Sequence, residues 1–336
     1  MLNYHSLTQQ QYVDLLVNTI SSFEGPAATV YQKPDDRTTI GYGYTFFRNN
    51  NLALWQAAGI TLTPAEVTLL QSIDAAPDAQ KDSLALQFTR SISTTEAVDL
   101  LRQTYPQYEG PANTLLMPFS NERAAFVSLT YNRGIPSVNT NMQAFFTAIA
   151  NQDRAEAWYQ MRYNSNGRRY DADPTVAANG ITNRRIAESN LFSLYNDSGQ
   201  GVGETEAKNV VRMYTTHRTD IQAYESQFAT QFAPSGTATI QFQLTSAITT
   251  LIADFAEGRS IDGEVLVGAD DLIPGDTLPG TALNDLIFGE NGHDILKGEA
   301  GDDVLLGGEG TDQLTGGTGN DYLDGGAGYD TYIYRI

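Results

Sequence analysis

The chain has 336 residues, of which 41% are hydrophobic, and a formal charge of −20 from 40 Asp and Glu against 20 Lys and Arg. This length suggests about two domains, and the excess of acidic residues argues against nucleic acid or an anionic membrane surface as a partner. Cysteine is absent, which excludes disulfides and thiolate metal sites, and no apolar run is long enough for a membrane span.

The first predicted element is a helix over residues 8–23. Its start fits a capping box of Thr8 and Gln11, and apolar residues then recur at helical spacing until a Gly-Pro pair ends the pattern. Glu24 therefore stands at the C-terminal end of the helix. The helix alone leaves two interpretations of Glu24, a catalytic carboxyl group or a solvated residue before a turn.

A hairpin is predicted next, in the segment VYQKPDDRTTIGYGYTF. Two short strands flank a polar turn at 34–37. Gly41 and Gly43 leave the second strand without side chains at two positions, as expected where a ligand or another backbone segment approaches closely.

Helical segments continue to about residue 196. SISTTEAVDLLRQTYPQYEGPANTL carries a capping Thr-Glu pair and repeating leucines, FSNERAAFVSLTYNRGI reads as a buried helix with a Gly stop, and NGITNRRIAESNLF reads as a closing helix. Residues 49–90 lie before these segments, and in them GITLTPAEVTLLQSI is predicted to form a helix packed on the outside.

These segments, in this order, resemble the phage-type lysozymes of glycoside hydrolase family 24. The family signature is Glu, eight residues, Asp, five residues, Thr, and then Ile-Gly-x-Gly. Glu24 and Thr39 hold this spacing, and TIGYG follows. The resemblance covers about 8–48 and 91–196, and it implies that residues 49–90 are an insertion. It implies an α+β lysozyme-like domain at 1–196, mostly helical with a small β-hairpin or sheet, that acts on peptidoglycan.

The resemblance also implies roles for individual side chains. Glu24 would protonate the leaving oxygen, and Thr39 would hold the attacking water. Substrate-binding or pairing roles are implied for Tyr44, Asn132, Arg184 and Arg185. Asn132 would hydrogen-bond the sugar, and Tyr44 stands where the family commonly has His. One of the two arginines would pair with Glu24; alternatively, both are ordinary surface residues.

Lys33 departs from the family pattern, because it occupies the place of the family's Asp. Inverting hydrolysis needs a second carboxylate about 6.5–9.5 Å from the acid, and a lysine has the wrong charge for that role. Asp35 keeps the strand parity of position 33, whereas Asp36 is nearer to TIGYG and is slightly preferred. If both aspartates only form the turn, the domain is a degenerate muramidase that binds peptidoglycan or a partner without cutting it.

Residues 197–261 are predicted to form a helical connector. GETEAKNVVRMYTTHRTDIQAYESQF reads as a polar helix, and LTSAITTLIADFAEG reads as an amphipathic one. We find no chemistry in this segment, and we interpret His217 as an exposed helix residue rather than a ligand.

Residues 262–336 are rich in Gly and Asp, and from Gly280 they form six consecutive nonapeptides. Each nonapeptide has Gly at position one, Asp at position six and an apolar residue at position eight. The position-six residues are Asp285, Asp294, Asp303, Asp312, Asp321 and Asp330. Carboxylate and carbonyl oxygens of such turns suit Ca²⁺. The residues 268–276 are interpreted as an entry turn that is out of phase.

The nonapeptide pattern resembles that of RTX proteins, whose repeats form a calcium-binding parallel β-helix. It predicts a calcium-binding β-roll at 262–336, and the alternative is a disordered Gly/Asp linker. RTX proteins are typically exported by type I secretion, and their repeats fold where calcium is plentiful. An N-terminus without the features of a signal peptide fits this route.

We therefore expect a secreted, extracellular protein from a Gram-negative bacterium, with peptidoglycan and the type I secretion machinery as partners and structural Ca²⁺ in the repeats. Only two residues follow Tyr334, which leaves little room for a separate C-terminal export signal. The sequence does not distinguish attack on competitors from remodelling of the producer's own wall.

Overall fold

The structure is a computed structural model that describes residues 2–32, 37–165, 176–196, 201–232, 239–269 and 275–334. The chain divides into two compact units. The first compact unit contains residues 3–146 and 187–192, and the second contains residues 1–2, 147–186 and 193–336. The domain boundaries that the sequence predicts, at 197 and 262, differ from the limits of these two units and stay predictions.

The first compact unit is helical apart from a small sheet. Its helices are α1 (Gln9–Phe23), α2 (Asn51–Ala57), α3 (Pro64–Ala75), α4 (Asp78–Ala85), α5 (Thr94–Thr104), α6 (Gly110–Thr114), α7 (Asn121–Arg133), α8 (Ile135–Asn141) and the start of α9 (Gln143–Ala150), with a 3-10 turn at Tyr105–Tyr108. Its strands are β1 (Ala27–Tyr31), β2 (Thr39–Gly41) and β3 (Tyr44–Thr45). The element types confirm the predicted lysozyme-like α+β class.

The core of this unit forms where α1 packs against α7. The central residues of α7, from Ala124 to Thr130, are all buried. The predicted insertion contributes to a second apolar cluster, because the fully buried Trp55 of α2 stacks on Phe46 with ring centroids 6.1 Å apart. Phe88 packs on both rings. The insertion therefore supports the sheet through Trp55 and Phe88.

The sheet is antiparallel, in the order β1-β2-β3. Tyr31 pairs with Thr39, and Thr39 pairs with Thr45. Gly41 and Gly43 have φ values of +62° and +90°, a backbone region that favours glycine. The turn after β2 is therefore tight, as the two glycines of the sequence indicate.

The second compact unit begins with helices. These are α10 (Arg154–Tyr159), a π-helical turn at Gln160–Asn164, α11 (Val176–Phe192), α12 (Glu204–Gln227), α13 (Ala229–Phe232) and α14 (Ile240–Phe255). His217 on α12 is not the exposed residue that we expected. Its ring stacks on Tyr159 with centroids 3.8 Å apart, and its Nε2 lies 2.8 Å from Glu156 Oε2.

The Gly/Asp-rich segment forms a parallel β-roll, as predicted. One sheet contains β4 (Val265–Val267), β6 (Leu286–Gly292), β8 (Val304–Gly310) and β10 (Tyr322–Gly328); the other contains β5 (Thr277–Pro279), β7 (Ile295–Ala300), β9 (Gln313–Thr318) and β11 (Thr331–Ile333). Leu286 pairs with Val304, so two nonapeptides make one turn of the roll. The position-eight side chains form its core: Ile287, Leu296, Leu305 and Leu314, with Leu266 and Leu278 before them and Leu323 packed against them.

The entry segment corrects one expectation. Although Gly268 is out of phase with the repeats, β5 pairs with β7 in the same 18-residue register as the later strands, with Thr277 opposite Ile295. Asp276 and Leu278 therefore occupy positions six and eight of a regular repeat. The displacement lies before them, since β4 pairs with β6 at a spacing of 21 residues, Val265 opposite Leu286.

Helix α12 packs against β4. Its Lys208 and Arg212 both form ion pairs with Glu290, at 2.8 and 3.0 Å. Its Arg218 forms a third ion pair, 2.6 Å long, with Glu264. The predicted connector and the roll are thus parts of one compact unit. In the part of the chain that the structure describes, no helix is long and apolar enough to cross a membrane.

Candidate active site and calcium-binding turns

Glu24 lies where α1 ends and the chain turns toward the sheet. The predicted capping box fixes the start of α1, with the Gln11 side chain accepting from the Thr8 N–H at 2.9 Å and the Thr8 hydroxyl accepting from the Gln11 N–H. Glu24 has extended backbone angles, φ −101° and ψ 116°, and donates its N–H to Ile20 O. Its side chain is half-buried. Glu24 thus follows the last residue of α1 and lies three residues before β1.

Thr39, the predicted water-holding residue, is the first residue of β2 and is 6% exposed. Its hydroxyl donates to the carbonyl oxygen of Arg37 at 2.7 Å. Because a hydroxyl has one hydrogen and two lone pairs, this bond leaves Thr39 Oγ1 able to accept. The arrangement suits a side chain that receives a hydrogen bond from water.

Asp82 on α4 is a residue that the sequence analysis missed. Its Oδ1 accepts from the Thr38 N–H at 2.9 Å, and its Oδ2 accepts from the Arg37 guanidinium at 3.1 Å. The Thr38 hydroxyl donates to the Asp82 carbonyl oxygen. Burial acts to raise the pKa of Asp82, but the bonds from Thr38 and Arg37 outweigh it and hold the pKa below its usual value. Asp82 thus ties the insertion to the residue before Thr39.

Arg37 is held in a second way, because its guanidinium lies 3.4 Å from the ring centroid of Phe47. The C-terminal end of the predicted turn is therefore fixed from both sides. Lys33, Asp35 and Asp36 lie outside the described residues. Their predicted roles, including which aspartate replaces the family's carboxylate, stay predictions.

Tyr44 lies in the core. It is 3% exposed, its hydroxyl donates to Asn51 Oδ1 at 2.7 Å, and its ring meets Phe46 and Trp55 edge-on. Burial raises the pKa of Tyr44 above its ordinary value. These contacts support a packing role for Tyr44. They do not favour the predicted contact of Tyr44 with substrate.

Asn132 is exposed near the C-terminal end of α7, where Gly134 with φ +79° ends the helix. The preceding residue, Tyr131, donates its hydroxyl to the carbonyl oxygen of Tyr42. This bond ties the end of α7 to the β2–β3 turn. The predicted sugar contact of Asn132 stays a prediction.

Arg184 and Arg185 on α11 are 3% and 1% exposed, so the alternative that they are ordinary surface arginines is wrong. Large buried cations of this kind need acceptors nearby. The predicted pairing of one of them with Glu24 stays a prediction. Farther along α11, the buried carboxylate of Glu188 accepts from the Ser128 hydroxyl of α7 at 2.7 Å.

The position-six aspartates of the roll form a regular ladder. The Oδ1 of each accepts from the backbone N–H of a residue in the previous turn of the roll, usually another position-six Asp 18 residues earlier. The ladder bonds are Asp276 N to Asp294 at 2.6 Å, Asp285 N to Asp303 at 2.8 Å, Asp294 N to Asp312 at 2.8 Å, Asp303 N to Asp321 at 3.1 Å and Asp312 N to Asp330 at 3.0 Å. One oxygen of each carboxylate thus holds neighbouring turns together.

The second oxygen of three of these carboxylates fits a cation. Oδ2 of Asp294, Asp303 and Asp312 is buried and has no hydrogen-bond partner. A carbon added at Gly307 would lie 2.6 Å from Asp312 Oδ2 and 2.5 Å from the carbonyl oxygen of Gly325. The two oxygens therefore converge on one point, and distances of this size match the roughly 2.3–2.6 Å of calcium–oxygen bonds.

Equivalent pairs of oxygens recur in two more turns. A carbon added at Gly289 would contact Asp294 Oδ2 and the Gly307 carbonyl oxygen, and one added at Gly298 would contact Asp303 Oδ2. Burial raises the pKa of all three carboxyls, and that of Asp303 rises to about 6 with neighbouring negative charges adding to the effect. A bound cation would reverse this penalty, so the donor set fits Ca²⁺.

Comparison with known proteins agrees with both regions. A family model for phage lysozyme matches residues 21–188, and a model for the RTX calcium-binding nonapeptide repeat matches 279–314 and 301–332. The lysozyme match covers half of the chain, so this chain belongs to the phage lysozyme family. Its C-terminal repeats are RTX calcium-binding repeats.

Among solved structures, the chain is similar to the muramidase domain of SpmX from Asticaccaulis excentricus. The sequence identity is 22%, the match covers 56% of this chain and 97% of that chain, and the TM-score is 0.36. A likeness at that score supports no argument about the site. No curated protein matches the chain.

Proposed function

We propose that this protein is a secreted peptidoglycan hydrolase that cleaves the β-1,4 bond between N-acetylmuramic acid and N-acetylglucosamine. The observation that carries the proposal is the position of Glu24 and Thr39. Both hold the family's spacing inside the matched region, and they lie at the end of α1 and at the start of β2. Peptidoglycan is the substrate that a muramidase domain implies.

In this mechanism Glu24 protonates the glycosidic oxygen as it leaves. Asp36, or alternatively Asp35, directs a water molecule to the opposite face of the sugar, as inverting hydrolysis requires. Thr39 accepts a hydrogen bond from that water. The tie from Asp82 to Thr38 supports Thr39 in this role, because a catalytic group must be held by its surroundings.

The RTX repeats supply the second part of the proposed function. Without calcium, the carboxylates of adjacent turns repel one another, and binding of the ion converts binding free energy into folding free energy. We assign the repeats to calcium-dependent folding outside the cell after export by type I secretion. This part of the proposal rests on the RTX match over 279–332.

A second candidate function is that of a degenerate muramidase that binds peptidoglycan or a partner. Lys33 favours it, because it stands where the family has its second carboxylate. The two candidates differ in whether the chain releases soluble products from the cell wall.

The test is release of muropeptides from purified sacculi in the presence of calcium. We expect the natural protein to release them and Glu24→Gln to lose activity by about 10²–10⁴-fold, the usual contribution of a positioned acid. Asp254→Asn, at an exposed carboxylate of α14, is the matched control and should retain activity. Asp36→Asn and Asp35→Asn would then locate the second carboxylate.

Each other outcome decides the question. Full activity in Glu24→Gln would refute the assignment of the acid. No release by the natural protein, with sedimentation onto sacculi retained, would establish the binding module instead. Thermal unfolding of each variant shows whether a loss of activity is a loss of fold.

A further inference from the structure

Five position-six aspartates of the roll, from Asp276 to Asp312, fall into two classes, which differ in what their Oδ2 contacts. In the turns that end at Asp294, Asp303 and Asp312, this oxygen is buried and has no partner. In Asp276 and Asp285 the same oxygen already accepts a hydrogen bond from a backbone N–H, that of Ala269 and that of Thr281 respectively. The first class presents an unsatisfied carboxylate oxygen, and the second class does not.

Thr281 satisfies Asp285. Its N–H donates to Asp285 Oδ2 at 2.6 Å, and its hydroxyl lies 3.1 Å from both carboxylate oxygens. In the turn before, the Ala269 N–H donates to Asp276 Oδ2 at 2.6 Å. Because a charge-assisted bond to a backbone N–H stabilises a carboxylate, neither aspartate needs a cation to offset its burial.

The sequence explains why Thr281 behaves differently from its counterparts. It occupies position two of its nonapeptide, where Glu290 and Glu299 have left-handed backbone angles, φ +73° and +76°, and Gly308 has φ +106°. Thr281 does not adopt this conformation, which a β-branched residue strongly disfavours. Its N–H instead closes onto the carboxylate of its own turn.

The oxygens around Asp285 are otherwise arranged as in a complete turn. A carbon added at Gly280 would lie 2.6 Å from Asp285 Oδ2 and 2.7 Å from the Gly298 carbonyl oxygen. This is the geometry found at Gly307 beside Asp312. Two features distinguish the Asp285 turn from a turn with an open oxygen. One is the pair of donors of Thr281, and the other is Leu283 at position four, where the later nonapeptides have a glycine with φ between +120° and +150°.

Contacts with α12 hold this part of the roll independently of any ion. The Arg212 guanidinium donates to the carbonyl oxygen of Gly268 at 2.7 Å, and Thr215 Oγ1 accepts from the Val267 N–H. The first strand of the roll therefore has a protein neighbour, and α12 also reaches the Asp294 turn through the ion pairs of Glu290.

We propose that calcium occupies the turns that end at Asp294, Asp303 and Asp312, that the carboxylates of Asp276 and Asp285 are satisfied without calcium, and that β5 and the start of β6 form an ion-independent start for the roll. This inference rests on the proposed calcium-dependent folding and not on muramidase activity. It makes Thr281 the residue that excludes calcium from a turn in which the carboxylate of Asp285 and the carbonyl oxygen of Gly298 already converge.

The test is isothermal titration of the full chain with CaCl₂, which counts the ions bound per chain. Asp303→Asn and Asp285→Asn are a matched pair, since both residues hold position six, both are fully buried, and they lie 18 residues apart on the same side of the roll. We expect Asp303→Asn to lose about one ion per chain and Asp285→Asn to lose none.

Thr281→Gly provides the converse test. Glycine can adopt the left-handed angles of the other turns, so this variant should gain about one ion per chain. Thr281→Ser retains the hydroxyl and is the control that should gain none. A loss of one ion in Asp285→Asn, or an unchanged number in Thr281→Gly, would overturn the inference.

Amide hydrogen exchange of the natural chain, with and without calcium, tests the inference without any variant. We expect amides of β5 and of residues 286–288 to be protected without calcium, and those of 313–315 and 322–324 to gain protection of at least about tenfold when it is added. Equal protection of all strands in calcium-free protein would refute an ion-independent start. Failure to bind any calcium would refute the calcium part of the proposed function as well, whereas loss of muramidase activity alone would leave both standing.

Discussion

Substitution of Asp82 by Ala should destabilise the lysozyme-like region, although Asp82 lies in an insertion outside the family signature. The carboxylate is the acceptor for the N–H of Thr38, a residue with no exposed surface, and for the partly exposed guanidinium of Arg37. Asp82→Ala removes both acceptors and leaves a buried N–H without a partner.

The cost follows from these two bonds. An unsatisfied buried N–H costs about 1–3 kcal/mol, and a partly exposed ion pair adds at most about 1 kcal/mol. A total near 2 kcal/mol corresponds to a fall in Tm of roughly 4–8 °C for a region of about 150 residues. Asp82→Asn should cost less, because its amide oxygen can still accept from Thr38.

The assay is thermal and urea unfolding of the variants, with muropeptide release measured beside it. Gln80→Ala is the control, because Gln80 is exposed on the same helix. We expect its unfolding free energy to change by less than about 0.5 kcal/mol. An Asp82→Ala variant as stable as this control would refute the assigned role.

The pH dependence gives an independent check of the same bonds. Because the pKa of Asp82 lies below its ordinary value of 3.8 in the folded protein, its stabilisation is present above that pH and is lost as the pH falls through the folded pKa. The difference between the natural protein and Asp82→Ala should therefore shrink below about pH 4. A difference that stays constant to about pH 2 would mean that the carboxylate charge contributes nothing.

Three further predictions concern the sheet and the roll. Gly43→Ala should lower the unfolding free energy by about 1–3 kcal/mol in urea, because φ is +90° and the new carbon would lie 3.0 Å from the Tyr131 hydroxyl; no loss would contradict the tight turn. Leu305→Ala should cost the calcium-loaded roll about 2–5 kcal/mol in guanidinium, since Leu305 is fully buried in its core; a loss below about 1 kcal/mol would contradict that packing. Calcium affinity should fall as the pH drops through about 6, where Asp303 takes up a proton in the calcium-free roll. Without calcium, the roll should lose stability as the pH rises to the same value. A calcium titration and circular dichroism, each on both sides of about pH 6, would show no change in this range if the carboxyl kept its ordinary pKa of 3.8.

Much of the fold could be predicted because its signals are local. The capping box of Thr8 and Gln11 and the period of the nonapeptides are both written in short stretches of sequence. Both appear in the structure, as the start of α1 and as the 18-residue register of the roll. The period of a repeat predicts the register of its strands, because each Asp and each apolar residue must face the same way in every turn.

The contacts that support the candidate site were harder to predict because they are long-range. Asp82 meets Thr38 across 44 residues, and no periodicity or motif marks a lone carboxylate in an insertion. The alternative that Arg184 and Arg185 are surface residues was wrong for a related reason, because charge alone suggests exposure, whereas their burial depends on the helices around them. The phase of Asp276 was missed because counting from Gly268 included three extra residues before the register resumed.

Departures from the repeat pattern are informative because the repeat fixes which residue and which backbone conformation are expected at each position. Position two favours glycine, and a larger residue with left-handed backbone angles there is strained by about 1–2 kcal/mol. Glu290 tolerates this conformation while forming ion pairs with Lys208 and Arg212, so its departure from glycine coincides with the contact between the roll and α12. Thr281 also replaces glycine, but it does not adopt left-handed backbone angles, and its N–H donates to Asp285 Oδ2. At Glu290 and at Thr281 the exception to the repeat thus marks a place where a protein contact supplements or replaces the ion.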